Sequence, residues 1–422
     1  MAGASRTIIF GKFRWCRTCT YLVTMLARLR FLLPVLLAAL PACASPAAEA
    51  DDDAGEPADS ESAIVPINEA DETAPAGARP AAPIDAAAAT DLLDVRGMGD
   101  SGWSNTHEKT PIAAEFGKAL DRFDATGKGY RGDLSFVNWE TVVGSGCNQF
   151  ASVYSPGRSY AFVSRTENLV QASERGFNLI GLSNNHARDC LAAGDTSLRG
   201  EVASAAMTAK NIEALGSRDW LWAGISSTAH EDDFARARVR TFNVKGRQVR
   251  VAFGSMYMGR AECPRAACSG DKRALFESMR DAQADLRILS LHSMGPEDQD
   301  EAVRVGADFV KTYGGDVVYG EGPHVWKPIR VVRKGAAFGG GTGVVFESLG
   351  NFLHPSLGGQ AKNFIGRALY DLRTLKLRQV QVLPVANAGR DTKWSTSVDA
   401  AQLQANLHWT PSAHGVYANV KP

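Results

Sequence analysis

The chain has 422 residues, of which 45% are hydrophobic, so it is long enough to bury a sizeable core as one large or two ordinary domains. Lysine plus arginine and aspartate plus glutamate both number 46, and this balance excludes nucleic-acid binding through a globally basic surface. The charge is nevertheless uneven, because residues 1–30 are basic and residues 49–72 are acidic.

Residues 1–43 have the features of a targeting signal peptide. Arg28 and Arg30 precede the apolar run FLLPVLLAAL, which is too short to span a bilayer. The following LPAC resembles a bacterial lipoprotein cleavage box with Cys43 as the lipidated residue; a plain secretory signal or an uncleaved anchor is the alternative. A start at Met25 would give this signal ordinary proportions. We therefore expect the protein in the bacterial cell envelope, lipid-anchored on the periplasmic side or in the outer membrane, or secreted.

Residues 44–90 consist largely of alanine, proline, aspartate and glutamate. Such a segment cannot bury enough apolar surface to fold, so it is predicted to be a disordered tether behind the anchor. The globular domain is predicted to span 91–385, and residues 386–422 are a polar C-terminal extension with weak patterning.

Apolar strand-like runs and helix-like segments alternate up to about residue 325. Mostly strands follow, and this order predicts an α/β fold with an additional β layer. The predicted helices are 111–123, 166–176, 195–215, 271–284 and 297–314. The predicted strands are 92–100, 133–140, 177–182, 249–254, 286–292 and 316–328, followed by antiparallel segments at 329–332, 344–353 and 368–385.

Side chains able to bind metal or transfer protons follow five of these strands. In open α/β sheets the carboxyl ends of the strands form the ligand crevice, so these groups are expected to meet. Carboxylate and amide oxygens suit hard divalent cations, and imidazole suits zinc, iron and manganese. A mixed set of this kind predicts a site for one or two divalent ions. The five groups are Gly99-Asp100, Asn138-Trp139-Glu140, Asn184-Asn185-His186 with Asp189, His292, and Pro323-His324.

The same segments resemble the CapA-like family of poly-γ-glutamate capsule-synthesis proteins. FVNWETVV is similar to its NLE segment, GLSNNHARD to its NNHxxD segment, and SLHSMG to its strand-end histidine segment. VVYGEGPHVWKPI is similar to its GHHPHVxQPI segment, and FESLGNFL to its YSLGNF segment. The resemblance implies a four-layer α/β/β/α sandwich like that of metallophosphoesterases, with one or two divalent ions (Mn, Fe, Zn or Mg). It also implies a role in capsule or exopolymer biosynthesis or processing.

The resemblance implies a role for each matching residue. His186 would donate a proton to the leaving group, and Asp189 would orient it through a hydrogen bond. Glu140 would be the bridging metal ligand. The other implied metal ligands are Asp100, Asn185, His292 and His324, and the amides lining the site would be Asn138, Asn184 and Asn351.

One segment departs from the family pattern, since Glu321 and Gly322 stand where the family has two histidines, leaving only His324. Either Glu321 supplies an oxygen ligand instead, or one ion is lost. The remaining histidines have no predicted partner and are interpreted as surface or core residues: His107, His230, His354, His408 and His414.

Apart from Cys43, four cysteines remain in the mature chain, an even number that favours disulfides in an oxidising compartment. Cys263 and Cys268 could clip the loop CPRAAC, and a bridge between Cys147 and Cys190 would join two site loops. Free thiols are the alternative, and a cysteine zinc site is disfavoured because the mature chain has no CxxC pair.

Three functions fit these observations. The first is a metal-dependent hydrolase or transferase acting on phosphoester-like or polymer bonds, with an anionic polymer or a phosphoester as substrate. The second is a non-catalytic protein that binds polymer for assembly through a degenerate metal site. The third is a secreted phosphodiesterase unrelated to capsule. Other capsule-assembly proteins are expected partners and nucleic acid is not.

Overall fold

The structure is a computed structural model that describes residues 90–105, 110–144, 149–150, 160–191, 200–227, 233–355, 360–395, 400–403 and 405–420. The signal segment with Cys43, nearly all of the tether, His107, His230 and Cys147 lie outside the described residues. In the part of the chain that is described, no helix has the length and apolar character needed to cross a bilayer.

The helices among the described residues are α1 (Phe116–Phe123), α2 (Thr166–Glu174), α3 (Gly200–Glu213), α4 (Lys272–Asp281) and α5 (Pro296–Tyr313). The strands up to residue 257 are β1 (Leu92–Ser101), β2 (Leu134–Trp139), β3 (Val142–Val143), β4 (Gln149–Phe150), β5 (Val163–Ser164), β6 (Leu179–Gly181), β7 (Cys190–Leu191), β8 (Leu221–Ala223), β9 (Arg238–Val244) and β10 (Arg247–Tyr257). The later strands are β11 (Leu286–His292), β12 (Val317–Glu321), β13 (Ile329–Arg333), β14 (Thr342–Phe346), β15 (Gln360–Asp371), β16 (Leu377–Ala388), β17 (Asp391–Trp394), β18 (Thr410–Ser412) and β19 (Gly415–Asn419).

Most strands belong to two large sheets. The first sheet has the order β18-β19-β16-β15-β1-β2-β6-β8, with β17 paired to β16, and the second has the order β13-β14-β12-β11-β10-β9. Strands β1, β2, β6 and β8 run parallel to one another, as do β10, β11, β12 and β14. Each sheet therefore presents a row of carboxyl strand ends, which is the position where a ligand crevice forms.

Three apolar clusters order these elements into four layers. One cluster lies between the two sheets, where the rings of Phe136 on β2 and Tyr319 on β12 stack with centroids 4.9 Å apart. A second packs α1, α2 and α3 on the outer face of the first sheet, with Phe116 at its centre. A third packs α4 and α5 on the outer face of the second sheet, around Phe276 and Phe309. The predicted α/β/β/α sandwich is confirmed.

Part of the polar segment after residue 385 also belongs to the first sheet. Strand β17 pairs with the end of β16, and β19 pairs with its beginning, with Gln379 opposite Asn419. Leu403 and Leu407 are buried against the same inter-sheet core. The alternation of apolar residues is too short here to reveal these strands from sequence.

Candidate metal centre

Asp100 reaches the centre through an irregularity at the end of β1. The pairing with β2 skips Gly99 and places Asp100 opposite Asn138. A bulge of this kind shifts the side-chain alternation, so Asp100 does not follow Met98 towards the helices. A Cβ at Gly99 would lie 1.8 Å from the carbonyl oxygen of Gly350, so only glycine fits at this position.

Glu140 follows β2 and is fully buried among imidazole groups. Its Oε2 lies 2.9 Å from Nε2 of His354, and its Oε1 lies 3.5 Å from Nε2 of His292. The backbone holds it there, since its N–H donates to the carbonyl oxygen of Ser101 at 2.8 Å. Glu140 thus faces histidines from two separate segments.

His292 ends β11, and His324 follows β12 in a left-handed backbone conformation with φ 57°. Nδ1 of His292 lies 3.5 Å from Oδ1 of Asp100, and Nδ1 of His324 lies 3.2 Å from Oδ2 of the same carboxylate. Nδ1 of His324 also lies 2.7 Å from Oδ1 of Asn351. The rings of His324 and His354 have centroids 5.0 Å apart.

These side chains form two groups that share one carboxylate. Asp100, Glu140 and His292 have ligand atoms within 4.8 Å of one another, and so do Glu140, His324 and His354. This spacing suits a divalent ion in each group, because metal–nitrogen and metal–oxygen bonds are about 2.0–2.2 Å long.

Buried polar atoms that lack hydrogen bonds indicate that these residues fit a metal ion. Both oxygens of Glu140 and Nε2 of His292 are buried and make no hydrogen bond of suitable angle to the described residues, although Oε2 of Glu140 lies 2.9 Å from Nε2 of His354. Leaving buried polar atoms without partners is costly, and a cation between them would satisfy them. The residues therefore fit one or two divalent ions, with Glu140 shared.

Two buried carboxyl groups are held in the charged form by the histidines. Burial opposes the ionisation of Asp100, but His292 and His324 outweigh it and hold the pKa well below the usual value. Burial and the charge of Asp100 oppose the ionisation of Glu140, yet His354 and His292 lower its pKa. Burial also opposes the charged form of His324, but Asp100 and Glu140 raise its pKa to about 10. The carboxylates are therefore ionised at neutral pH and suited to a cation.

His186 lies on a short 3-10 helix (Asn185–Arg188) that follows β6 in the sequence, and Asp189 is the next residue after this helix. Nδ1 of His186 lies 2.8 Å from Oδ2 of Asp189, and the N–H of Phe162 donates to the same oxygen at 2.6 Å. The Phe162 ring packs on the imidazole with centroids 4.4 Å apart. Nε2 of His186 is left on the side of Glu140, 4.0 Å from its Oε1. Burial raises the pKa of Asp189, although His186 opposes this change.

Amide side chains connect this loop to the strand ends. Asn184 donates from Nδ2 to Oδ1 of Asn138 at 3.2 Å and to the carbonyl of Trp139 at 3.0 Å. Asn138 in turn donates to Oδ1 of Asp100 at 2.7 Å and lies 3.1 Å from Nδ1 of His292. Oδ1 of Asn185, which is predicted to be a metal ligand, is buried without a hydrogen bond from the described residues, and this suits an oxygen ligand.

Gly322 cannot be replaced by the family's histidine in this backbone. It has φ 103°, and its N–H donates to Oδ2 of Asp100 at 2.9 Å. A Cβ at this position would lie 1.6 Å from the carbonyl oxygen of Ser293. The glycine thus contributes a backbone donor to the centre instead of an imidazole.

Glu321, the suggested substitute ligand, contacts a serine through one carboxyl oxygen, while its other oxygen, Oε1, is buried without a hydrogen-bond partner among the described residues. It is fully buried, and its Oε2 accepts a hydrogen bond from Oγ of Ser290 at 3.3 Å. Burial, together with nearby Asp100, raises the pKa of Glu321 well above its usual value. Among the described residues, neither group of potential metal ligands includes it.

His354 was missed by the sequence analysis, which assigned it no partner. Its backbone N–H donates to Oδ1 of Asn387 at 3.2 Å. The preceding Leu353 has φ 55°, and its N–H donates to Oγ1 of Thr392 at 3.0 Å. These contacts place the histidine on a loop, not at a strand end. The one available signal was its position directly after the FESLGNFL segment.

The structure joins Cys263 and Cys268 in a disulfide with Cα atoms 5.7 Å apart. Cys190 is also disulfide-bonded and lies opposite Phe150 in the short pairing of β4 with β7. The predicted partner Cys147 lies outside the described residues.

Comparison with known proteins gives three findings. A crystal structure described as a novel phosphatase from Mycoplasma pneumoniae has 13% identity and a TM-score of 0.41, covering 71% of this chain and 95% of that chain. A hypothetical protein from Thermus thermophilus has 12% identity and a TM-score of 0.32, covering 71% of this chain and 96% of that chain. TM-scores below 0.5 are too low to support a conclusion about function. No curated protein matches the chain.

The remaining comparison is with protein families. The family model described as bacterial capsule synthesis protein PGA_cap matches residues 98–356. This range exceeds half of the 422 residues and contains every side chain of the two ligand groups. The chain belongs to the bacterial capsule synthesis protein family.

Proposed function

We propose that the protein is a metal-dependent hydrolase or transferase that acts on phosphoester-like or polymer bonds in capsule or exopolymer metabolism, of the poly-γ-glutamate type. The observation that carries this proposal is the sharing of Glu140 by two acid–histidine groups beside the imidazole of His186. Family membership supports the capsule context.

The residues around the centre divide the chemical work. Asp100, Glu140, His292, His324 and His354 would hold one or two divalent ions, with Asn185 adding an oxygen. Such ions, when bound, polarise the scissile bond and stabilise negative charge on its oxygen atoms.

Proton transfer is assigned to His186. An ionised carboxylate only accepts hydrogen bonds, so Asp189 fixes a proton on Nδ1 of His186 and supports a second proton on Nε2. Nε2 faces the centre, where it can protonate the oxygen of a leaving group. Phe162 covers the ring and limits the access of water.

The proposed location is the bacterial envelope. A lipid on Cys43 would anchor the chain, and residues 44–90 would hold the domain away from the membrane. Proposed partners are an anionic polymer or phosphoester substrate and other capsule-assembly proteins.

Metal analysis of the purified full chain tests the proposal. After loading with Mn²⁺ and removal of free ion, we expect at least one bound ion per chain, and fewer after Asp100→Asn. Turnover of bis(p-nitrophenyl) phosphate should accompany the bound metal. Replacement of a residue that only supports a metal ligand lowers metal affinity at least about tenfold, so replacement of a ligand should have an effect at least as large. A content below about one ion per chain that Asp100→Asn does not change would therefore refute the metal-dependent activity.

A non-catalytic role in polymer assembly is the second candidate, and the Glu321-Gly322 replacement of two family histidines favours it. It predicts polymer binding without turnover by the metal-loaded chain.

A secreted phosphodiesterase unrelated to capsule would instead turn over small esters, while deletion of its gene would leave the surface polymer unchanged.

A further inference from the structure

We propose that Glu321 is a positioning residue for the catalytic loop, acting through a buried chain of three serines that crosses from the second sheet to the first. The proposal rests on the proposed function only in calling that loop catalytic. It gives Glu321 a role other than the substitute metal ligand.

The chain starts at the backbone N–H of Ser183, which donates to Oγ of Ser255 at 3.2 Å. Oγ of Ser255 lies 3.2 Å from Oγ of Ser290, and Oγ of Ser290 donates to Oε2 of Glu321 at 3.3 Å. Ser255, Ser290 and Glu321 lie on adjacent parallel strands β10, β11 and β12, whereas Ser183 follows β6 of the first sheet.

The hydrogen-bond inventory gives this chain one direction. A serine hydroxyl has a single hydrogen, and Ser290 directs its own to Oε2 of Glu321, which accepts both in the carboxylate and as the carbonyl oxygen of the neutral acid. Ser255 must therefore donate to Ser290, which leaves its oxygen lone pairs for the N–H of Ser183. Each link thus depends on the next, and Glu321 is the terminal acceptor that orients the whole chain.

Close packing leaves these groups no alternative partner in solvent. All four residues are fully buried. A Cβ at Gly181 would lie 2.6 Å from Oγ of Ser290, and a Cβ at Gly224 would lie 2.7 Å from Cβ of Ser183. Packing around the serines is therefore tight, which disfavours the entry of a water molecule in place of a lost hydroxyl.

At its Ser183 end, this series of hydrogen bonds reaches the segment that carries His186. Oγ of Ser183 also donates to the carbonyl oxygen of Ala267 at 2.5 Å, inside the loop closed by the Cys263–Cys268 disulfide. Ser183 is therefore fixed on two sides directly before Asn184, and three residues before His186. Loss of the hydrogen bond from the Ser183 N–H to Ser255 would therefore make the segment that places the imidazole beside Glu140 more mobile.

Hydrogen exchange of the full, Mn²⁺-loaded chain tests this inference, with mass spectrometry of the segment 183–189 as the readout. Glu321→Leu and Ser255→Ala should speed exchange there about tenfold, the factor that corresponds to one lost hydrogen bond. Glu321→Gln should restore slow exchange, because its amide oxygen can accept from Ser290. Ile288→Val is the control, since it shortens a buried core side chain on β11, the strand that carries Ser290, and leaves the hydrogen-bonded groups intact.

Two results would overturn the proposal. The first is exchange in Glu321→Leu that does not exceed the Ile288→Val control, or that Glu321→Gln fails to slow. The second is loss of Mn²⁺ from both Glu321 variants, which would make Glu321 a metal ligand. If Glu321→Leu does not fold, Ser255→Ala still decides, because it removes only one hydroxyl. The exchange readout needs no turnover, so failure of the proposed activity would be recognised separately.

Discussion

Oε2 of Glu140 and Nε2 of His354 lie 2.9 Å apart in the protein interior, although one residue follows β2 and the other lies on a loop beyond β14. The pair connects two groups of potential ligands, because Glu140 also belongs to the group that contains Asp100 and His292. A carboxylate placed between two such groups is what a pair of divalent ions requires of a bridging ligand.

We predict that His354→Ala weakens Mn²⁺ binding at one of two sites by at least about tenfold, since even residues that only support ligands cost 10- to 100-fold in affinity. The reason is that Glu140 and His324 alone would remain in that group. Mn²⁺ titration followed by elemental analysis of the desalted full chain measures the effect.

His408→Ala is the control for this substitution, because His408 is exposed on the surface. It should retain the metal content of the unmodified chain. Equal Mn²⁺ affinity and stoichiometry in His354→Ala and His408→Ala would remove His354 from the set of ligands.

The contrast between His292 and His354 shows how far sequence reasoning reaches. His292 ends an apolar strand, where the general rule for α/β sheets places ligands, and it was predicted from that position. His354 is positioned by its own hydrogen bond to Asn387 and by the hydrogen bond of the preceding Leu353 to Thr392. Both partners lie in a part of the chain that the sequence pattern does not place. Long-range contacts of this kind leave no periodic signal.

The fold was predicted for a related reason. Strands such as β11, buried on both faces, leave continuous apolar runs, and these predict an α/β fold with an additional β layer. The four-layer order is implied only by the family resemblance. The short strands β17, β18 and β19 alternate with polar residues and left no clear pattern. The bulge at Gly99, which aims Asp100, depends on the carbonyl of Gly350 and could not be predicted from neighbouring residues.

We predict that Gly322→Ala destabilises the protein more than Gly340→Ala. Both glycines have positive φ, 103° and 67°, so both substitutions impose backbone strain, about 1–2 kcal/mol for a left-handed residue. Only at Gly322 would the new Cβ also meet a backbone oxygen, that of Ser293 at 1.6 Å. At Gly340 no heavy atom of the described residues lies within 4 Å of the added Cβ.

Urea unfolding of the two variants measures the difference. Gly340→Ala serves as the reference for a positive-φ glycine whose added Cβ meets no neighbouring atom. Equal losses in the free energy of unfolding would mean that the turn after β12 can move to admit a side chain. In that case glycine would not be required between Glu321 and His324.

We predict that Asp94→Asn lowers the free energy of unfolding by about 3–5 kcal/mol at neutral pH, the usual cost of breaking a buried ion pair. Nε and Nη2 of Arg367 donate to the two oxygens of Asp94, each at 2.9 Å, and Nη2 of Arg96 donates at 2.7 Å. The substitution would leave both guanidinium groups buried without their counter-charge. Thermal unfolding at neutral pH measures the loss.

The pH dependence of this effect has a definite sign. Burial opposes the ionisation of Asp94, but Arg96 and Arg367 outweigh it and lower its pKa in the folded state. Its contribution is therefore complete above the unfolded pKa of about 3.9 and is lost as the pH falls through the lower folded value. The gap between the unmodified chain and Asp94→Asn should narrow below about pH 4. Arg280 also lowers the pKa of Asp281, but that ion pair is exposed and screened by solvent, so Asp281→Asn should show a much smaller dependence. A gap for Asp94→Asn that widened in acid would contradict the assignment.

We predict that the effect of His186→Gln on turnover depends on the leaving group. A general acid contributes about 10²–10⁴-fold, and it is needed most when the departing oxygen is strongly basic. The loss should therefore be large for an alkyl phosphoester and small for a p-nitrophenyl ester, whose leaving group departs without a proton. Asp189→Asn should show the same selectivity, because it removes the negative charge that lies 2.8 Å from Nδ1 and supports the protonated form of His186. Metal content should stay unchanged in both variants, since neither residue belongs to the two acid–histidine groups found among the described residues. An equal loss of turnover for both esters would assign His186 to substrate or metal binding instead. The Mn²⁺ content of His186→Gln would then distinguish those two roles.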